Sequence, residues 1–207
     1  MMNGNHRMNK LITGSVESVD QLLAFIEGLN DTEYQFVATP WFTSSIGQHL
    51  RHIVDLYLAL MSEGMMGNAP QQECIDYDVR RRGAPVESRR DVGVAEMKAI
   101  RHWLTQITAN DLASEVWVNT EVALTEQQSV AVKSSFAREL CFASSHLTHH
   151  LAIMAAIAKM AGKTVDSALG LAPATATFTR LQEARSANST NSTNSTKSTR
   201  ETASCAQ

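Results

Sequence analysis

The sequence predicts an all-α protein: a four-helix bundle with long crossover connections and a disordered C-terminal tail. Three observations predict it. Four segments place apolar residues at helical spacing. The connections that follow the second and third of them are long, as in bundles with crossovers. Residues 186–207 are dominated by Asn, Ser and Thr and offer almost nothing to bury.

The first helix is expected over about Val16 to Leu29, with Val19, Leu22, Leu23, Ile26 and Leu29 on one face. The second starts after Pro40 at an N-cap, Ser44 or Ser45, and runs to about Gly64; Ile46, Leu50, Ile53, Tyr57 and Leu60 form its stripe. The third covers about Val94 to Thr108, with Met97, Ile100, Trp103, Leu104 and Ile107 on one side. The fourth begins near Ser135 and stops at Gly162, a residue suited to the position just past a helix end. Before it, Val116, Val118, Val130 and Val132 alternate with polar residues, which predicts a short hairpin. The domain reading is therefore one bundle over 1–185 and an unstructured tail over 186–207. The tail's Asn188, Asn191 and Asn194 match glycosylation sequons, read here as products of the repeat.

Composition narrows the function classes. With 43% hydrophobic and 19% charged residues the chain can build a core. A net charge of −3 gives no electrostatic case for nucleic acid or an anionic membrane. The three cysteines (Cys74, Cys141, Cys205) are scattered and odd in number, the pattern of a reducing compartment. No signal-peptide core is visible at the N-terminus and no apolar run of spanning length is expected, so the expectation is a cytoplasmic protein without membrane partners. Nor is there a Gly-rich phosphate loop, a Gly-x-Ser-x-Gly elbow or a Cys-His pairing.

Histidine is where the sequence is unusual. Three of seven fall in SSHLTHHLAIMAAIAKMAG (Ser144 to Gly162). At about 100° per residue, Phe136, Leu140, Ala143, Leu147, Leu151 and Met154 form the apolar stripe of this helix. His146 and His150 flank the stripe one turn apart, while His149 points further out. A pair at i and i+4 can share one ion or can merely border a core, and spacing alone leaves both readings open. Two histidines do not close a site. The second helix, SSIGQHLRHIVDLYLAL, offers His49 and His52; periodicity puts His49 nearer the stripe, and spacing leaves this choice open too. Asp55 is a candidate acceptor to orient His52. His6, near the start, and His102, on the polar side of the third helix, receive no role.

The order SIGQHLRHIVD, IDYDVRRRG and SSHLTHHLAI, followed by LGLAP, resembles the DinB-like (YfiT-like) metal-binding bundle proteins over roughly Val16 to Ala174. The resemblance implies a divalent metal on three histidines, one from the second helix and a His-x-x-x-His pair from the last. That pair is His146 and His150. The pattern Ser-Ile-Gly-x-x-Leu-x-His aligns the third ligand with His52, against the periodicity, with His49 the competitor. Some members add a Glu two residues after the pair; here Ala152 stands there. Three imidazoles suit Zn, Ni or Fe. The resemblance implies a metal-dependent enzyme on a small-molecule substrate, above all thiol-dependent S-transfer with a low-molecular-weight thiol as cofactor. The alternative is a metal-binding, stress-associated protein without turnover. In the run Arg80, Arg81, Arg82, Arg80 and Arg82 are the candidates for holding carboxylates of that thiol or substrate; the competing reading is a solvated loop. Tyr77 and Asp78 are weaker candidates, and Cys141 is a doubtful ligand. Bundles of this kind pair through helix faces, so a homodimer is expected.

Overall fold

The computed structural model describes residues 2–64 and 74–198, and divides after Gly170 into two units. In chain order the first unit holds α1 (Met2–Glu27), α2 (Asp31–Gln35), α3 (Ile46–Gly64), β1 (Ile75–Asp76), a 3-10 turn (Pro85–Glu87), α4 (Arg90–Leu104), α5 (Ala109–Ala113), β2 (Glu115–Glu121), β3 (Ser129–Ser135) and α6 (Phe136–Met160). The second unit contains α7 (Pro173–Ser198).

Local chemistry sets the start of α3 and both ends of α6. Ser45 caps α3: its hydroxyl accepts from the Gln48 N–H (3.2 Å), and the Gln48 side chain accepts from the Ser45 N–H (2.9 Å). Ser135 caps α6 by accepting from the Arg138 N–H. Gly162 ends α6 with φ of 86°, a left-handed conformation that glycine adopts at no steric cost. The third predicted helix is shifted: α4 already stops at Leu104, and Ile107 lies beyond it. Thr105 takes the C-cap, and Thr108 opens α5 with its own capping box to Asp111.

α1, α3, α4 and α6 form a four-cornered bundle in which α3 packs on α4 and α6, and α1 on the same two. Its core is made by the predicted stripes, among them Leu22 and Ile26, Ile53 and Tyr57, Met97 and Ile100, and Leu147 and Leu151, all buried. By length and composition α6 reaches what a membrane span requires, contrary to the sequence expectation. Its apolar residues Leu140, Ala143, Leu147, Leu151, Met154 and Ile157 are instead fully buried in the bundle.

The valine alternation does build a hairpin. β2 and β3 pair antiparallel with Val118 opposite Val132, and β1 joins the far edge of β2 in parallel. Val116 and Val118 are buried, whereas Val130 and Val132 are exposed. α7 runs through the Asn/Ser/Thr tract as far as Ser198, so the boundary expected at residue 186 falls inside a helix. Residues 199–207, with Cys205, lie outside the described residues, as do the side chains of His6, Asn188, Asn191 and Asn194.

One close approach fixes how α3 meets the connection after it. A Cβ on Gly47 would lie 2.1 Å from the Glu87 carbonyl oxygen and 2.6 Å from Tyr34 Cε1. Tyr34 cannot retreat, being fully buried with its hydroxyl donating to the Val86 carbonyl at 2.5 Å. Gly47→Ala is therefore expected to destabilise the fold by about 1–3 kcal/mol or more, the range of overpacked cores. A chemical-denaturation midpoint equal to that of the unmodified protein would refute the close contact.

Candidate metal centre

Two helix faces meet at four imidazoles. α3 contributes His49 and His52 at i and i+3, α6 contributes His146 and His150 at i and i+4, and all four are half-buried beside the core. Ile53 and Leu50 on one helix, and Leu147 and Leu151 on the other, are fully buried next to them, which holds the histidine backbones in place. His52 pairs with His146 and His49 with His150, so the pairings run in opposite directions along the two helices.

The geometry separates the histidines into three and one. His146 Nε2 lies 2.9 Å from His52 Nε2 and 3.0 Å from His150 Nε2. Ligand nitrogens of His52, His146 and His150 all fall within 4.8 Å of one another. His49 is not part of that group. It meets His150 on the opposite edge of the ring, Nδ1 to Nδ1, at 3.0 Å. Of the two histidines between which helical spacing left the choice open, His52 is the one in this close group. His149 is exposed, as expected, and Cys141 is exposed and outside the group.

Electrostatics keep these rings neutral. Burial, then the Arg80 guanidinium, lowers His52 to about 4. Burial, then His146 and His52, lowers His150 to about 3. Burial, then His149 and Arg80, lowers His146, and burial with His149 lowers His49. A neutral ring nitrogen carries either one proton or one lone pair. His146 Nε2 therefore cannot donate to both neighbours, and two donors would compete for its single lone pair. A divalent cation takes lone pairs from all three nitrogens at once, so the donor set fits one.

The lowered values make a pH prediction for the metal-free protein. Between about pH 6.5 and the lowered folded-state values, the unfolded chain binds protons that the folded chain refuses. Stability contributed by the neutral rings is full above about pH 6.5 and is lost as pH falls towards the folded-state values. The melting temperature of chelator-treated protein should drop between about pH 7 and about pH 5, and drop less when His52 and His150 are both replaced by Leu. Parallel pH profiles for the two proteins would count against these assignments.

The connection IDYDVRRRG does more than run through solvent. Arg81 is held by Asp55 (Nε to Oδ1, 2.7 Å) and Glu96 (2.7 Å), tying the loop to α3 and α4. Arg51 bonds the other Asp55 oxygen (3.2 Å) and Glu87 (2.9 Å). Asp55 is therefore spent on two arginines and does not orient His52, a correction to the sequence expectation. Arg80 donates to the Tyr77 and Val79 carbonyls, and its field acts on His52 and His146. Arg82 is exposed. Tyr77 donates to Glu139 (2.9 Å), a buried carboxylate that also receives Ser134 and Arg138. Burial and this carboxylate push the Tyr77 hydroxyl well above its usual range. Asp78 turns away and accepts the Glu121 N–H. Sequence reasoning missed the Arg81 and Glu139 networks; the Arg51–Asp55 spacing of four was the visible signal of the first.

The family model described as the DinB superfamily matches residues 16–154, two thirds of the chain, including all four histidines. The chain belongs to the DinB superfamily. FK506-binding protein 5 of Rhizopus delemar is 30% identical to this DinB-superfamily chain over 101 residues, 49% of the chain and 26% of that protein. The chain thus spans about a quarter of the length of the curated relative it matches. No solved structure gives a significant match. Superfamily membership and the converging triad together make this a DinB-like protein with a site that can hold a metal ion.

Proposed function

We propose that the chain is a divalent-metal-dependent enzyme acting on a small molecule, with His52, His146 and His150 as the protein ligands of one ion. The single observation that carries this reading is the convergence of three neutral Nε2 atoms from two helices at 2.9 and 3.0 Å. Three protein ligands are the number that catalytic sites use, since a fourth would leave no place for substrate. A bound ion of this kind supplies Lewis-acid chemistry that turns a thiol or water into a nucleophile near neutral pH.

The residues around the triad supply the rest. Arg80, anchored by two backbone carbonyls, is a fixed cation whose field reaches the triad, suited to a carboxylate of an acidic thiol. Phe142 lies against His146, with ring centroids 5.6 Å apart, and provides an apolar wall. Thiol-dependent S-transfer is the reaction class that uses both features.

The test has two stages. Metal analysis of the purified protein should find Zn, Ni or Fe, and a screen of low-molecular-weight thiols against a small electrophile should show turnover that a chelator abolishes. Bound metal with no turnover for any thiol would favour a metal-binding protein without catalysis. Protein that takes up no divalent metal would end the reading.

A further inference from the structure

His49 is left over from the metal reading, yet it is in close contact with one member of the triad. Its Nδ1 sits 3.0 Å from His150 Nδ1, and its Nε2 is buried with no hydrogen-bond partner among the described residues. Ring stacking does not account for the contact, since the two rings are tilted by 45° with centroids 5.1 Å apart. What the geometry favours is an N–H···N bond between two neutral imidazoles.

Only one proton fits between those two Nδ1 atoms, and its owner decides what His150 can do. If His49 owns it, His150 Nδ1 is the acceptor, and the proton of the His150 ring sits on Nε2. That Nε2 is the nitrogen facing His146 and would have no lone pair to offer. If His150 owns it, Nδ1–H donates to His49, and His150 Nε2 presents its lone pair to the triad. The His49 proton then lies on its buried Nε2.

We propose that His49 is a positioning residue that holds His150 in the Nδ1–H tautomer and fixes its ring so that Nε2 faces the metal position. The inference rests on the metal reading above. Metal-binding histidines generally give their other N–H to a carboxylate, carbonyl or water, and losing such a partner typically weakens binding 10–100-fold. Here the partner is another imidazole, at i−3 from His52 on the same helix. The motif Gln-His-Leu-Arg-His on α3 thereby supplies both a ligand and the acceptor that prepares a second ligand on α6.

Zn²⁺ affinity, measured by competition with a chromophoric chelator, is the first test. His49→Ala should weaken Zn²⁺ binding about 10–100-fold. His49→Gln, whose side-chain carbonyl can accept the same proton, should recover most of the loss, with circular dichroism confirming that both variants fold. Long-range ¹H–¹⁵N spectra of the unmodified Zn²⁺-loaded protein form the second test and do not depend on any variant folding. They should show His150 protonated at Nδ1 and metal-bound at Nε2. Unchanged affinity in His49→Ala, or a His150 Nδ1 without a proton, would overturn the proposal while leaving the triad intact. Failure of the unmodified protein to bind Zn²⁺ would instead remove the metal reading and this proposal with it.

Discussion

His146→Ala is expected to leave the protein with little bound metal after reconstitution and dialysis. His146 Nε2 stands between the other two nitrogens, 2.9 Å from one and 3.0 Å from the other, so its loss breaks the group at the centre. The remaining His52 and His150 would form a two-ligand remnant, and removing even an outer partner of a ligand costs about 10–100-fold in affinity. His52→Ala and His150→Ala should behave alike. His149→Ala is the control, because that exposed ring takes no part in the converging group. Metal-to-protein ratios by emission spectrometry decide the matter. A near-stoichiometric ratio in His146→Ala would sink the triad.

Asp55→Ala should cost the fold a large part of its stability. The Asp55 side chain is 3% exposed, and both of its oxygens serve arginines. Removing one partner of a buried ion pair costs about 3–5 kcal/mol, because a charge stays behind without compensation. Arg51, only 11% exposed, keeps Glu87, and Arg81 keeps Glu96, which places the expected loss near the lower end. Asp55→Asn should fall in between, since it keeps an acceptor for the Arg81 N–H but not the charge. Urea denaturation would measure it, and a change below about 1 kcal/mol would show that the network is loosely coupled to the fold.

Much of this was legible in the sequence because burial follows period. The stripes through Leu22, Ile53, Met97 and Leu147 became core residues, and Ser45, Ser135 and Gly162 became caps and a stop, each for a local reason. The pair His146 and His150 was readable for the same reason: a spacing of four fixes two side chains on one face. That His52 is the one in the close group was not readable from period, which put His49 nearer the stripe. Both lie at the flank of the stripe, and what separates them is which edge of His150 each one meets, a relation across two helices that no single-helix pattern contains. Arg81 and Asp55 show the same limit. They lie 26 residues apart and join only through the path of the connection. The short helices α2 and α5 escaped as well, since five residues cannot display a period and their capping boxes were the sole signal.

His52 and His146 are 94 positions apart, with the whole of α4 and the hairpin between them. A ribosome therefore delivers the first ligand long before the other two, and a growing polypeptide has no place for an ion until α6 has emerged and docked. An ion held by the triad would be loaded after synthesis instead of guiding it. Partial opening that parts α3 from α6 would release such an ion wherever the rest of the bundle stands, so metal retention would gauge one helix contact.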